Sequence, residues 1–433
     1  MKYQKKSLPL QIKIPLPDDL EEILIYLLSK SAKVFLVGGC VRDYLLGIKN
    51  LDYDIEVFNI SEIDLENYLK KFGDLRLLGK NFGVYKLKTT SIKNIYDFSM
   101  PRIEAKIAKG HKGFKVQTNK NLELKQAASR RDFTINALMY DYEKKQILDF
   151  FDGLEDLKNK NISFINAKSF CEDALRIYRG IGFCARFSFH LNQETKALCK
   201  SIKDDLLALP KERIFEEFKK FLLKAPKPAL AFDLINELLL LDFFPPLKAL
   251  NENKKAWEKM KITINNLASL NEDDEDKLSF ILAGTCLFFS NEKAQNLSIS
   301  KDFLMLLTSD KKLLTKVLTL VKIYEEVIFF TKLSDKDIKT LAKEINIKKL
   351  CKFLGTIFLE DNKKVLDFLK KAKVLGVKNN PRKAVINGKD LLALGFKPSK
   401  DFKKILDFAY DLQISNTEDK SILLDFVKKE FVK

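Results

Sequence analysis

The stretch Val34-Phe-Leu-Val-Gly-Gly-Cys-Val-Arg-Asp-Tyr-Leu-Leu-Gly47 reads as a short apolar strand, a glycine turn and the opening of a helix. Gly38 and Gly39 let backbone approach a phosphate chain, and the bare N–H groups of the helix that follows add a positive dipole end. Arg42 is positioned to add a mobile charge. Taken alone, a Gly-Gly pair is better read as a plain tight turn. Four residues further on, Leu51-Asp-Tyr-Asp-Ile-Glu-Val-Phe58 has strand character. Side chains alternate along a strand, so Asp52 and Asp54 are expected on one face. Two adjacent carboxylates repel unless a cation lies between them, and hard oxygen ligands suit Mg²⁺. The competing reading is an edge strand with solvated acids, and the glycine turn immediately upstream weighs against it.

Outward from this point the chain divides by pattern. Strand-like runs at Val34–Val37, Leu51–Phe58, Val84–Leu87 and Gln146–Phe150 alternate with helical stretches and glycines, giving an α/β head. From about Ile162 the apolar spacing becomes helical, as in Lys211–Leu223 and Phe303–Phe330. The spacing predicts an α+β protein with a mixed-sheet head and all-helical remainder, with joints at Lys224–Pro228, Asn271–Asp276 and Lys378–Pro381, where Pro, Gly and charge interrupt the periodicity. At 433 residues more than one domain is expected.

Lys and Arg number 77 against 59 Asp and Glu, a formal net charge of +18, which points to a polyanionic partner and to nucleic acid first. The excess lysine is spread along the chain, unlike a polybasic membrane anchor. The run Leu234–Phe244 is too short and too interrupted by Glu237 and Asp242 to cross a bilayer, so no membrane is expected as a partner. Met1–Pro17 makes a poor secretion signal. Six cysteines without a CxxC pair read as reduced core residues of a cytoplasmic protein. Only His111 and His190 occur, too few for a histidine-rich metal site; His190 reads as a partly buried packing residue.

Val37–Gly47 followed by Asp52-Tyr-Asp54 resembles the first motif of class II tRNA nucleotidyltransferases, which bacterial poly(A) polymerases share. Further similar stretches follow in the family's order: Arg130-Arg-Asp-Phe-Thr-Ile-Asn-Ala137, Asp149 through Gly153 to Asp156, Glu172-Asp-Ala-Leu-Arg176 with Arg179, and Glu212-Arg-Ile214. Asn387–Pro398 is similar to the tail of CCA-adding enzymes. The resemblance implies a polymerase-beta-like head over residues 1–158, a helical neck that recognises the base over 159–225, and RNA-binding body and tail over 226–380 and 381–433. It implies Asp52 and Asp54 as catalytic metal ligands for Mg²⁺, with Asp97 assisting or structural. Gly38, Gly39 and Arg42 would hold the triphosphate, and Arg130, Asp132 and Asn136 the ribose. In the residues themselves, Phe133, Ile135 and Ala137 alternate with polar groups, which then line one side; a structural ion-pair cluster is the competing explanation.

Asp173 and Arg176 stand three apart, a spacing that puts an acceptor and a donor fork on one helix face. Cytosine and adenine both offer an amino donor beside a bare ring nitrogen, which Asp173 and Arg176 would match; uracil and guanine present the opposite pattern. An ordinary Asp–Arg surface pair is the usual meaning of this spacing. Arg179 joins them in the family's motif. The implied activity is template-independent addition of C, C and A to a tRNA acceptor arm from CTP and ATP. Arg102–Lys125 resembles the mobile segment with which relatives switch nucleotide. A poly(A) polymerase, or an enzyme adding only CC or only A, is the nearest alternative; a non-catalytic RNA-binding module has no physical reason to keep a repulsive acid pair. Nothing in the sequence fixes an oligomeric state.

Overall fold

The computed structural model describes residues 10–50, 52–78, 83–90, 94–106, 114–327, 333–358, 362–398 and 401–431. Leu51, Gly110, His111, Gly113, residues 79–82 and the basic N-terminal residues fall outside these. The chain forms two compact units. One comprises the residues up to Ala225 together with Leu230–Leu240, and the other Pro226–Ala229 with the residues from Leu241 onward.

In the first unit the elements run β1 (Leu10–Gln11), α1 (Asp18–Ser29), β2 (Lys33–Val37), α2 (Gly39–Leu45), β3 (Asp54–Phe58), α3 (Glu62–Leu69), β4 (Gly73–Leu78), β5 (Val84–Thr89) and β6 (Ile95–Ser99). After these come β7 (Arg102–Lys106), β8 (Phe114–Thr118), α4 (Leu124–Ser129), a 3-10 turn at Thr134–Asn136, β9 (Met139–Asp141), β10 (Gln146–Leu148) and α5 (Gly153–Asn159). The neck portion holds β11 (Asn161–Ile162), α6 (Ala167–Phe170), α7 (Arg176–Phe187), β12 (His190–Leu191), α8 (Gln193–Ser201) and α9 (Lys211–Lys224). Nearly all of α10 (Ala229–Glu237) also belongs to this unit.

The head sheet has the order β1-β10-β9-β2-β3-β6-β5-β4. All its pairings are antiparallel except β3 with β6, so the expected mixed sheet of an α+β head is present. Strand β2 is central, which explains its unbroken apolar run: Phe35 and Val37 enter a core with Phe58, Leu122, Ala127, Ala128, Ala137 and Met139, while Val34 and Leu36 point to the other face. On α1 the buried Leu20, Ile23, Leu24 and Leu27 fall at helical spacing. The same helix carries a buried carboxylate, Asp19, which accepts from Tyr96 Oη at 2.7 Å and Thr89 Oγ1 at 2.8 Å.

The second unit is helical among its described residues. Its helices are α11 (Pro245–Glu252), α12 (Lys254–Ala268), α13 (Asp274–Cys286), α14 (Lys293–Leu307), α15 (Lys311–Val327), α16 (Asp335–Glu344) and α17 (Ile347–Ile357). The last are α18 (Asn362–Val374), α19 (Gly388–Ala393), α20 (Asp401–Ser415) and α21 (Lys420–Phe431). Ile386, Leu391, Ile405, Ala409, Leu423 and Val427 form a separate core for the final helices. No helix among the described residues is long and apolar enough to cross a membrane.

Several local readings are corrected. The run from Phe303 is helical, as its spacing suggests, but spans two helices: Thr308-Ser-Asp310 separates them, and Asp310 Oδ1 accepts from the amides of Lys312 and Leu313 to start α15. His190 is exposed, in a two-residue strand pairing with Asn161. The stretch after Arg102 contains a hairpin, β7 with β8, on either side of residues outside the description. All six cysteines are free, and five are buried.

Candidate active site

Gly38 links β2 to α2 at φ +74°, a conformation that favours glycine. A Cβ there would stand 3.0 Å from Arg131 Nη1 and 3.5 Å from Asp54 Oδ2. The missing side chain therefore lets a guanidinium and a carboxylate close over the turn. Behind it, the Cys40 thiol is buried, bonds to Val37 O at 3.3 Å and is pushed up to about 11 by burial, which removes it as a nucleophile.

Arg42 is not the mobile charge its position suggested. It is buried, its Nε and Nη2 donate to Asp43 Oδ1 at 2.8 and 2.6 Å, and its Nη1 donates to Asn136 Oδ1 at 2.5 Å. Its guanidinium also lies 4.9 and 4.8 Å from the ring centres of Phe183 and Phe187, which stack at 7° to each other.

Asp54 opens β3, opposite Val37 in β2 and Asp97 in β6. The one parallel pairing of the sheet thus sets two carboxylates side by side. Although Asp54 keeps solvent access, its carboxyl is pushed up, first by the packed protein around it and then by Asp97 and Asp52, with Arg131 opposing. Asp52, contrary to the alternation argument, precedes the strand. It is exposed, and its amide donates to Asn50 Oδ1 at 2.8 Å. Asp97 Oδ1 is shielded from solvent and accepts no hydrogen bond, with Lys86 Nζ 3.5 Å away. Crowded acids of this kind, one with an oxygen lacking a hydrogen bond, fit a divalent cation. Among the described residues no three His, Cys, Asp or Glu side chains converge on one point, so phosphate or water oxygens would complete the coordination.

The segment 130–137 is a turn and 3-10 helix, not the alternating strand its pattern suggested, so Asp132 and Asn136 meet each other. Asp132 is buried and accepts from Asn136 Nδ2 at 2.8 Å and Arg179 Nε at 2.6 Å. Burial alone would raise its pKa; Arg179 and Asn136 outweigh that and hold it below the usual carboxylate range. Arg130 Nη2 donates to the buried Glu56 at 2.8 Å.

Asp173 lies in the turn before α7, not on the helix face shared with Arg176. Its Oδ1 accepts from the amide of Leu175 at 3.2 Å, and its Oδ2 stands 3.6 Å from Arg213 Nη2. Arg176, the first helical residue, donates through Nη1 to Ser169 O at 3.0 Å.

These groups surround a cavity of about 560 Å³. All the expected site residues line it except Asp52 and Asp97. Asp97 lines an adjoining space of about 150 Å³ with Asp54, Ser99 and Arg102. Sequence reasoning assigned no role to several lining residues: Arg131, Arg102, Arg213, Glu217, Leu175 and Phe183. Arg131, Leu175 and Arg213 stood inside quoted motifs, and Arg102 opened a quoted segment; Glu217 and Phe183 gave no local signal. In the cavity seven arginines (42, 102, 130, 131, 176, 179, 213) face four carboxylates (54, 132, 173, 217), an excess of three positive charges suited to a polyphosphate.

Known proteins resemble this chain in segments and in fold. Residues 34–163 match the poly A polymerase head domain, and residues 188–250 match the probable RNA and SrmB-binding site of polymerase A. A multifunctional CCA protein from Nitrosospira multiformis is 34% identical over 194 residues, 44% of each chain. Poly(A) polymerase I of Haemophilus influenzae is 28% identical over 275 residues, covering 61% of this chain and 60% of its own. The chain spans about half the length of the curated relatives it matches. The Bacillus stearothermophilus CCA-adding enzyme in complex with CTP superposes with a TM-score of 0.71 at 19% identity, over 96% of this chain and 99% of that one, a likeness of fold. By these head and RNA-binding segments, the chain is similar to poly(A) polymerases and CCA-adding enzymes.

Proposed function

We propose that the protein is a CCA tRNA nucleotidyltransferase, adding C, C and A to the 3′ end of tRNA from CTP and ATP with release of pyrophosphate, in the cytoplasm. The observation that carries this reading is the arginine-rich cavity closed on one side by Asp54 at the glycine turn. Asp52 and Asp54 would hold Mg²⁺, which when bound supplies Lewis acidity at the attacking hydroxyl and the leaving phosphates. Gly38 and Gly39 bring backbone close to the triphosphate, and Arg42 and Arg131 neutralise its charge. Asp132, held by Arg179 and Asn136, is the acceptor for a ribose hydroxyl, with Arg130 beside it. Asp173 offers an acceptor and Arg176 a donor to the base edge, and the matching of cytosine and adenine at one site follows from their shared amino-and-ring-nitrogen pattern. Asp97 flanks Asp54 and adds negative potential there. Residues 1–158, 159–225, 226–380 and 381–433 serve as head, neck, body and tail, and the basic helical portion takes the tRNA acceptor arm through its phosphates.

A poly(A) polymerase is the second reading, favoured by the Haemophilus influenzae similarity. Single labelled nucleoside triphosphates supplied to tRNA lacking its last three residues separate the two. Incorporation of two C and then one A is expected. Long adenosine tails without use of CTP would replace the first reading with the second, and uptake of CTP alone, or of ATP only on tRNA ending in CC, would assign one half of the task.

A further inference from the structure

Asp52 is the acid that the sheet does not hold, since β3 begins two residues later. What fixes it is a chain of polar contacts running away from the strand. The Asp52 amide donates to Asn50 Oδ1 at 2.8 Å, and Asn50 Nδ2 donates to Asp43 Oδ2 at 3.2 Å. That same oxygen accepts from Arg186 Nη2 at 2.9 Å, while the other oxygen of Asp43 holds Arg42. Asp43 is 2% exposed, so its carboxylate has little freedom to move with solvent. The Asn50 amide also lies over the glycine turn, 3.9 Å from where a Gly39 Cβ would sit.

We infer that Asn50 is a positioning residue for Asp52, clamped through Asp43 to Arg186 of α7, so that retention of a divalent ion by the acid pair depends on this side-chain amide. The inference rests on the proposed role of Asp52 and Asp54. An asparagine side chain bonding the amide two residues on is a local turn device. Here its other end is anchored on a buried, charge-paired carboxylate, which converts a local turn into a link between the base-side helix and the acid loop. Groups that orient metal ligands from behind typically change affinity by about 10- to 100-fold when removed.

The test uses full-length protein with Mn²⁺ standing in for Mg²⁺. Bound Mn²⁺ is measured from the electron paramagnetic resonance signal of the free ion, without turnover, beside single-CMP addition across a magnesium series. Asn50→Ala is expected to weaken Mn²⁺ binding about tenfold and move the magnesium requirement by a similar factor, with the KM for CTP within about twofold of wild type and an unchanged Tm. Asn50→Ser retains an oxygen for the Asp52 amide and is expected to recover part of the loss. Asn50→Asp keeps that acceptor but sets a charge against Asp43, and is expected to fall below Asn50→Ala. Wild-type Mn²⁺ affinity in Asn50→Ala or in Asn50→Asp overturns the inference. A loss in Asn50→Ala that Asn50→Ser does not relieve, or one accompanied by an equal loss of thermal stability, overturns it too. Failure of the wild-type protein to add CMP, or full activity in Asp54→Ala, instead overturns the underlying reading of the site.

Discussion

The cavity of the first unit, about 560 Å³, and a cavity of about 590 Å³ in the helical unit are nearly equal in size and both lined by charge. In the helical unit Lys312, Lys316 and Lys349 face Glu275, Asp276 and Glu344, three against three. Lys316 Nζ lies 2.6 Å from Asp276 Oδ1, and Lys349 pairs with the same buried carboxylate. That cavity satisfies its own charges. The first unit's cavity instead carries three surplus arginines, although several of its carboxylates are already paired. Arg42 and Arg130 pair with Asp43 and Glu56 behind the lining, yet on the lining itself arginines outnumber carboxylates, which marks the place where an external anion adds to the electrostatics.

The largest expected effect of breaking that asymmetry is at Asp54. Asp54→Asn leaves the arginines in place and removes the acid, so it is expected to lower single-nucleotide addition by ~10³-fold while CTP still binds. Rapid-quench kinetics and equilibrium dialysis measure the two separately. Loss of nucleotide binding with retained chemistry would assign Asp54 to the anion site instead.

Asp132 tests the paired part of the same cavity. Asp132→Asn strips the partner from Arg179, which is partly exposed, so a cost of about 2 kcal/mol is expected, between exposed and buried ion pairs. The Asp132 pKa is depressed in the folded protein, so its contribution is full above the ordinary aspartate pKa and is lost as pH falls below it. Urea denaturation should therefore show the gap between wild type and variant at neutral pH and its narrowing in acid below the ordinary aspartate range. A gap that widens in acid reverses the sign of the argument.

Phe187→Leu removes one of the two rings that hold Arg42. A loss of about 1 kcal/mol of cation–π contact corresponds to about a fivefold rise in KM for both CTP and ATP. A rise for only one nucleotide would place Arg42 at the base and not at the shared phosphates.

How much of this was legible in the sequence follows from range. Strand β2, the glycine turn and α2 were readable because an apolar run, two glycines and a resumed helical spacing are all local. The expected site residues other than Asp52 and Asp97 line one cavity for the same reason: each motif was a short segment. The errors came where an element's first residue mattered. Asp52 precedes β3 and Asp173 precedes α7, so arguments from strand alternation and helix spacing did not apply to them. Alternation also misread 130–137, where Asp132 and Asn136 bond to each other across a turn. Arg42 was read as mobile because, apart from the adjacent Asp43, its restraints, Asn136, Phe183 and Phe187, lie far along the chain. Glu56 likewise gave no signal that it holds Arg130.

The smallest effect is expected in the helical unit, and it tests the comparison from its other side. Glu275 accepts from Lys312 at 3.3 Å and Lys316 at 3.2 Å, and these amines hold its carboxyl below the usual range. Glu275→Gln leaves the fold's buried pair at Asp276 untouched and gives this cavity one surplus positive charge. If surplus charge is what makes a cavity take anions, the variant should gain weak phosphate binding at this cavity beyond that of the charge-balanced wild type. Stabilisation by phosphate is the readout, as a rise in Tm on the order of 1 °C beyond that of wild type at matched ionic strength. The magnitude stays small because lysines of an open surface, unlike the arginines around Asp54, remain hydrated and lack a planar fork for phosphate. An equal response in both proteins would show that charge balance alone does not separate the two cavities, and would move the explanation to the geometry of the arginine forks.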